Sequence, residues 1–380
     1  MQSVVLSLLA GAATGQTSAP FRQSDDLADV VGSTHVRGFY HHTDNDYLNE
    51  GADALLGMGS RVVKVWFYNG SETPAVMYPY NSDWPEVADR VEGAKTPYWK
   101  AFFDKPFTTF VLNTLATGMP GYYFVDGITD EQAAEEQRQM YELAKHFLTE
   151  YKNTDKTFVF AMHEMDWHLK AAPNPELETP EERFDRTVKW LRARQAGVDQ
   201  ARDECGMEGV RVFHAAEIVN VRKSLRDGQD NMVNRVLPHV DLDLISYSAY
   251  DATVLGKIYE RDELEACLDY IAANARPSRY FGKKQVFLGE YGCPENDYGL
   301  ENMRKVVQNA TEVALDWGCP YVIYWQLYCN EPKAEVRVPG ETFGPSNNND
   351  DFRGFWLIRA DGTQNWCYEY FARLCRQGRE

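Results

Sequence analysis

The stretch Val286 to Gly292, reading VFLGEYG, constrains this chain more than any other. A short apolar run with no alternation is how a strand buried on both faces reads, and such strands belong to parallel sheets. Glu290 stands where the run stops, and Gly292 allows a sharp turn after it. A charge at the end of a buried strand is costly unless it is paired or used. The run Phe158 to Ala161, followed by Met162-His163-Glu164-Met165-Asp166-Trp167, repeats the grammar. Two apolar strands that each end near a glutamate point to a carboxylate pair.

Parallel strands need crossover connections, usually helical, and the chain supplies them. Strands are expected at Val36 to His41, Arg61 to Phe67, Phe107 to Asn113, Thr157 to His163, Val210 to Ala216, Leu242 to Tyr247, the Glu290 stretch, and Tyr321 to Leu327. Amphipathic segments separate them. Thr129 with Gln132 forms a capping-box signature for a helix running to Tyr151. Thr179-Pro180 opens another with a cap and a proline at its first position. A long loop is expected from Tyr68 to Pro106, a polar loop from Asn330 to Asp351, a short extra strand from Gly354 to Ile358, and a last helix from Trp366 to Arg376. Eight strands with intervening helices specify an α/β fold, a single (β/α)8 TIM barrel with long βα loops. An open doubly wound sheet is the alternative, but no GxGxxG follows any strand. There is no repeat and no composition break beyond the N-terminus, so residues 20–380 read as one catalytic barrel.

Residues 1–19 differ. They carry no charged side chain, are apolar from Val4 to Ala13, and offer a small-x-small site at Ala13-Thr14-Gly15. This reads as a signal peptide or a disordered N-terminus, although the usual basic start is missing. A secreted glycoprotein is the corresponding expectation, with sequons at Asn69-Gly70-Ser71 and Asn309-Ala310-Thr311. Seven cysteines show no zinc-binding spacing, and secretion would pair some and leave at least one over. A net charge of −18 excludes nucleic acid and anionic membrane surfaces as partners. It suits a soluble monomer with a neutral ligand, and 9 Trp and 22 Tyr suit a carbohydrate.

Barrel active sites lie at the C-terminal ends of the strands. Standing there are Trp66, His163, Glu164, Asp166, Trp167, His214, Glu217, Tyr250, Glu290, Trp325 and Tyr328, with Arg37 and Lys64 available as cations. Two carboxyls across a barrel mouth suit glycoside hydrolysis, one giving a proton to the leaving oxygen and the other attacking the anomeric carbon or activating water. No cofactor is required.

These residues resemble glycoside hydrolase clan A, the retaining (β/α)8 glycosidases. Glu164 on strand four and Glu290 on strand seven match the clan's acid/base and nucleophile positions. Gly289-Glu290-Tyr291-Gly292 is like its nucleophile motif, and Tyr321 to Gln326 looks like its eighth strand. The resemblance implies that Trp325 floors the subsite where the bond is cut and that Tyr250 hydrogen-bonds the nucleophile. It implies an ionised Glu290, kept so by Arg37, Lys64 or Tyr250, and a Glu164 with a raised pKa. His163, Trp66, Trp167, Glu217 and Tyr328 become substrate contacts. His163 stands where most clan members have Asn. His163-Glu164-Met165 has a faint likeness to family 26, whose following Asn is Asp166 here, so no family is assigned. Two rival readings remain. One is a metal-dependent sugar isomerase or hydrolase using His163, Glu164, Asp166, His168, His214 and Glu217, although adjacent strand residues such as His163 and Glu164 point to opposite faces. The other is a non-catalytic carbohydrate-binding barrel.

Overall fold

The computed structural model describes residues 24–68, 73–119, 121–170, 179–254 and 260–377. The segment read as a signal peptide and the sequon at Asn69 lie outside them. Eight parallel strands close into a barrel in chain order: β1 (Val31–Thr34), β2 (Val62–Trp66), β3 (Thr109–Asn113), β4 (Lys156–Ala161), β5 (Val210–Ile218), β6 (Leu244–Ser248), β7 (Val286–Tyr291) and β8 (Val322–Tyr324). The principal crossover helices are α1 (Tyr47–Met58), α2 (Pro97–Asp104), α3 (Asp130–Glu150), α4 (Glu181–Cys205), α5 (Val221–Asp227), α6 (Arg261–Asn274), α7 (Leu300–Trp317) and α8 (Trp366–Gln377). The expected capping box at Thr129 and Gln132 is present. At α4 the cap is Pro180 itself, with no side-chain hydrogen bond from Thr179.

Five expectations are corrected. The first strand lies five residues earlier than read, because Val31-Gly32-Ser33-Thr34 carries little bulk. Its glycine is needed: a Cβ at Gly32 would stand 2.5 Å from the Val62 carbonyl on the neighbouring strand. Val36 to His41 is loop. The described residues between Tyr68 and Pro106 include three helices, the last being α2, whose Trp99, Phe102 and Phe103 are buried. Gly354 to Ile358 forms no strand, only an isolated bridge from Ile358 to Gln364. All seven cysteines are free, six of them buried. Asn309 is half-buried within α7 rather than on a surface loop.

The outer layer packs by aromatic interlocking. Phe158 on β4 stacks on Phe110 of β3 at 5.2 Å and on Phe147 of α3 at 4.2 Å. Each such ring contributes about 1.5–3 kcal/mol by leaving water. The barrel interior is filled below by Val62, Val111, Val159, Phe213, Leu244, Phe287, Tyr321 and Ile323. Above this apolar plug the lining becomes polar, with Lys64, Glu217 and Ser246 buried.

The two glutamates reach this interior by breaking strand phase. Phe287 faces inward, and so does Gly289. Two residues further along, Tyr291 faces outward, where its hydroxyl bonds Thr311 of α7. Strict alternation would send Glu290 outward as well. Instead the register slips: Tyr247 pairs with Leu288 but Ser248 pairs with Glu290. An extra residue in one strand re-aims the next side chain, so Gly289 and Glu290 both face the barrel. At β4 the alternation Val159, Ala161, His163 leaves Glu164 out of phase. Glu164 adopts left-handed backbone, φ 39° and ψ 55°, which turns it back over the barrel mouth. His163 and Glu164 therefore share one cleft, against the expectation that neighbours diverge.

The slip depends on a residue without a side chain. A Cβ at Gly289 would stand 1.7 Å from Ser246 Oγ and 3.0 Å from Glu217 Oε2. Gly289→Ala is therefore expected to lower stability by about 1–3 kcal/mol, the usual cost of overpacking. Ser246→Gly in the same chain should restore much of it. Urea unfolding of the single and double variants measures both, and an unperturbed single variant would contradict the proposed crowding.

Candidate active site

Lys64, reaching inward from β2, is fully buried. Its Nζ lies 2.6 Å from Glu217 Oε2, 3.2 Å from Glu290 Oε2 and 3.2 Å from the Gly289 carbonyl. Glu217 also accepts from Ser246 Oγ at 2.6 Å. Above this layer His163 Nε2 lies 3.4 Å from Glu290 Oε2, 3.7 Å from Glu217 Oε1 and 3.9 Å from Glu164 Oε2. With one atom of His163 at 3.4 Å and 3.9 Å from them, Glu290 Oε2 and Glu164 Oε2 lie on either side of the same imidazole nitrogen, an arrangement that admits the short separation of a retaining pair. Glu164 accepts from Ser248 Oγ at 2.8 Å.

The two carboxyls are driven in opposite directions. Burial alone would raise Glu290, but the charges of Lys64 and His163 and their hydrogen bonds reverse this and hold it below the usual glutamate value. Glu164 is raised to about 7, first by burial and then by the like charges of Glu290 and Glu217, with His163 opposing. Burial would lower His163, yet the three surrounding carboxylates carry it up to about 9. Lys64 is likewise raised, Glu217 and Glu290 outweighing its burial.

A pocket of about 260 Å³ opens above the pair, and its lining includes His163, Glu164, Tyr250, Glu290, Trp325 and Phe355. The Trp325–Gln326 peptide is cis. One wall is fastened by charge. Glu331 accepts from Trp325 Nε1 at 3.2 Å and from Arg353 Nη1 at 2.5 Å, while Arg353 Nε binds Asp297 at 2.7 Å. Glu331, Arg353, Ser246 and Ser248 were not anticipated from sequence. The first two sit at the margins of the polar loop after β8, where composition carries no directional signal.

The remaining predicted residues divide. Trp325 lines the pocket, 8% exposed. Trp66 is 4% exposed and packs on His163 at 4.9 Å, so it is a wall behind the histidine rather than an open platform. Tyr250 lines the pocket edge-on to Phe355, but Glu290 takes its contacts from Lys64 and His163 instead. Glu217 is sealed beneath Glu290 and cannot touch a ligand in the pocket. Tyr328 is buried among His35, Tyr40, His42 and Tyr47. Arg37 is exposed and lies over Phe39. Trp167 is half-buried on the short helix Met165–Leu169 and does not line the pocket.

The metal cluster read from sequence is not assembled. Asp166 accepts from the backbone amides of Val219 and Met232, pinning two loops. His214 lies outside the barrel, between Arg194 and Gln195. His168 stacks on Tyr122. His163, Glu217 and Glu290 do converge closely enough to hold an ion. The Lys64 ammonium already bridges the two carboxylates that such an ion would need.

The architecture has many counterparts among solved structures. The chain superposes on GH5_18 from Streptomyces cattleya in complex with Manb1-4GlcNAc, with a TM-score of 0.57 and 14% identity over 92% of this chain and 81% of that one. It matches an exo-beta-1,4-mannosidase from Opitutaceae bacterium strain TAV5 with a TM-score of 0.57 and 13% identity, over 94% of this chain and 61% of that one. A family 5 xyloglucanase from Paenibacillus pabuli gives 0.52 and 11%, over 93% and 99%. The fold is thus the closed (β/α)8 barrel on which these clan A glycoside hydrolases are built. No family model matches the sequence. No curated protein matches it either. Among the described residues no helix is long and apolar enough to cross a membrane.

The raised Glu164 has a consequence for stability. The unfolded chain ionises this group from about pH 4.5, whereas the folded chain holds its proton until about 7. The fold therefore loses stability as pH rises between these values, and the loss is constant above them. Glu164→Gln, which keeps an acceptor for Ser248, is expected to be more stable than the parent by about 1–3 kcal/mol above pH 7 and nearly equal below pH 4.5. Thermal unfolding across pH 4–8 measures this, and a destabilised variant at pH 8 would refute it.

Proposed function

We propose that this chain is a retaining glycoside hydrolase cleaving O-glycosidic bonds of an oligo- or polysaccharide, with Glu290 as nucleophile and Glu164 as acid/base. The observation that carries this is the opposed tuning of two carboxyls beneath one pocket: Glu290 is held charged by Lys64 and His163, and Glu164 is held protonated. Pairs of titratable groups pushed apart in this way separate acid and base roles.

In the first step a Glu290 oxygen bonds to the anomeric carbon as the bond to the leaving oxygen breaks, and Glu164 gives that oxygen its proton. Glu164, now a carboxylate, takes a proton from water. The water oxygen attacks the same carbon and releases Glu290. The net reaction adds one water across one glycosidic bond. His163 stands beside both carboxyls, able to donate to a sugar hydroxyl, and Trp325 presents a flat apolar edge to the ring. A pocket of this volume has room for about one sugar ring next to the pair. The fold likeness to an exo-beta-1,4-mannosidase and to a protein bound to Manb1-4GlcNAc makes β-mannosides the first substrates to try.

A screen of 4-nitrophenyl β-mannoside, β-glucoside and β-cellobioside tests the reading. Turnover of at least one is expected. Glu290→Ala should reduce it by about 10⁴-fold or more, with azide restoring part of it as a glycosyl azide of inverted configuration. No turnover on any glycoside, or full activity in Glu290→Ala, would overturn the proposal. For the parent, kcat/KM should fall above about pH 7 as Glu164 loses its proton, and should fall on the acid side only below the ordinary glutamate range, where Glu290 gains one. An alkaline limb that persists unchanged in Glu164→Gln would remove Glu164 from the acid role.

A further inference from the structure

We propose that Glu217 is a positioning residue of this site: a carboxylate that never meets substrate and whose charge holds Lys64 and His163 against the nucleophile. The inference rests on the retaining reading of Glu290 and Glu164 and goes beyond it.

Four observations support it. The Glu217 side chain is 1% exposed and lies below Glu290, away from the pocket. Its Oε2 is doubly committed, to Lys64 Nζ and to Ser246 Oγ, both at 2.6 Å. Its Oε1 is buried with no hydrogen-bond partner and faces His163 Nε2 at 3.7 Å. The chain also keeps room for it: Gly289, directly before the nucleophile, is the position where a Cβ would press on both Ser246 Oγ and Glu217 Oε2. A buried acid maintained by a serine, a lysine and an obligatory glycine is a built arrangement.

Its action is electrostatic. The groups that face Glu217 are Lys64 from β2, His163 and Glu164 from the end of β4, Ser246 from β6 and Glu290 from β7. With Glu217 charged, the two cations Lys64 and His163 meet two carboxylates, Glu217 and Glu290, and the fifth group can keep its proton. Remove one negative charge and both cations bear on Glu290 alone. The nucleophile is then over-neutralised and less able to attack. His163 loses one of the carboxylates that sustain its proton. Glu164 loses one of the like charges that sustain its own. Both should titrate at lower pH.

Glu217→Gln is the test, because the amide keeps the shape and its oxygen, placed where Oε2 stands, accepts from both Lys64 and Ser246. The His163 ring resonance, assigned by its loss in His163→Asn, is followed by NMR against pH in the parent and the variant. A shift of its midpoint toward acid by about one pH unit is expected. With the 4-nitrophenyl glycoside that the parent hydrolyses fastest, kcat should fall at least about tenfold while KM stays within about twofold, because Glu217 touches no substrate. The alkaline limb of kcat/KM should move toward acid by about half a unit or more. A variant with the parent's circular dichroism but unmoved His163 titration and pH profile would overturn the proposal, and so would a loss confined to KM. Should Glu217→Gln fail to fold, Glu217→Asp withdraws the charge by one methylene. It is expected to move the His163 midpoint in the same direction by less, and no movement would count equally against the idea. The NMR arm needs no substrate. If the parent hydrolyses no glycoside while His163 still responds to Glu217, the hydrolase reading fails and the electrostatic role stands.

Discussion

The ammonium of Lys64 is the interaction on which the upper half of this barrel depends. A lysine in the middle of a β-barrel is out of place unless carboxylates surround it, and a carboxylate there is out of place without a cation. Lys64, Glu217 and Glu290 come from three strands that are not neighbours, so their mutual need draws β2, β5 and β7 toward one point. Deleting Lys64 would leave both carboxylates buried without the cation they share, and breaking a buried pair in this way typically costs about 3–5 kcal/mol. The cluster is also the reason the two glutamates differ: the one in contact with Lys64 is held ionised, and the one beyond its reach is not.

Backbone irregularity converts that charge cluster into a site. Regular alternation would have turned Glu290 toward α7 and Glu164 toward the helices outside β4. A register slip at Gly289 and a left-handed residue at Glu164 bring both over the same opening. These devices cost regular pairing and backbone comfort. They are affordable because the plug beneath, from Val62 to Ile323, and the aromatic layer around Phe158 hold the barrel without them.

Much of this was legible in the chain. Apolar runs separated by amphipathic segments specified eight strands in order, and the two strand-end glutamates stood out because charge seldom ends such runs. Other features were not legible, for physical reasons. β1 is built of small residues, so bulk pointed five residues too far along the chain. Period-two reasoning cannot see the slip that Gly289 permits, nor the left-handed turn at Glu164, and the second is why it separated His163 from Glu164. Aromatic residues near strand ends look alike in sequence whether they line the pocket, as Trp325 does, or pack behind it, as Tyr328 does. Arg37 and Lys64 were equal as cations on paper, yet only the one with an inward strand position reaches Glu290. Glu217 was legible as a carboxylate at the rim but not as one beneath it.

The wall fastened by Glu331, Arg353 and Asp297 belongs to the loops after β7 and β8, not to the strands that hold Lys64 and the glutamates. The machinery and the enclosure are thus separable parts. Descendants of this chain are free to exchange the segment around Arg353, and with it the shape of the chamber, while inheriting the reactive centre unaltered. Diversification of what is admitted then proceeds by replacing an enclosure, on a foundation where almost any change is punished.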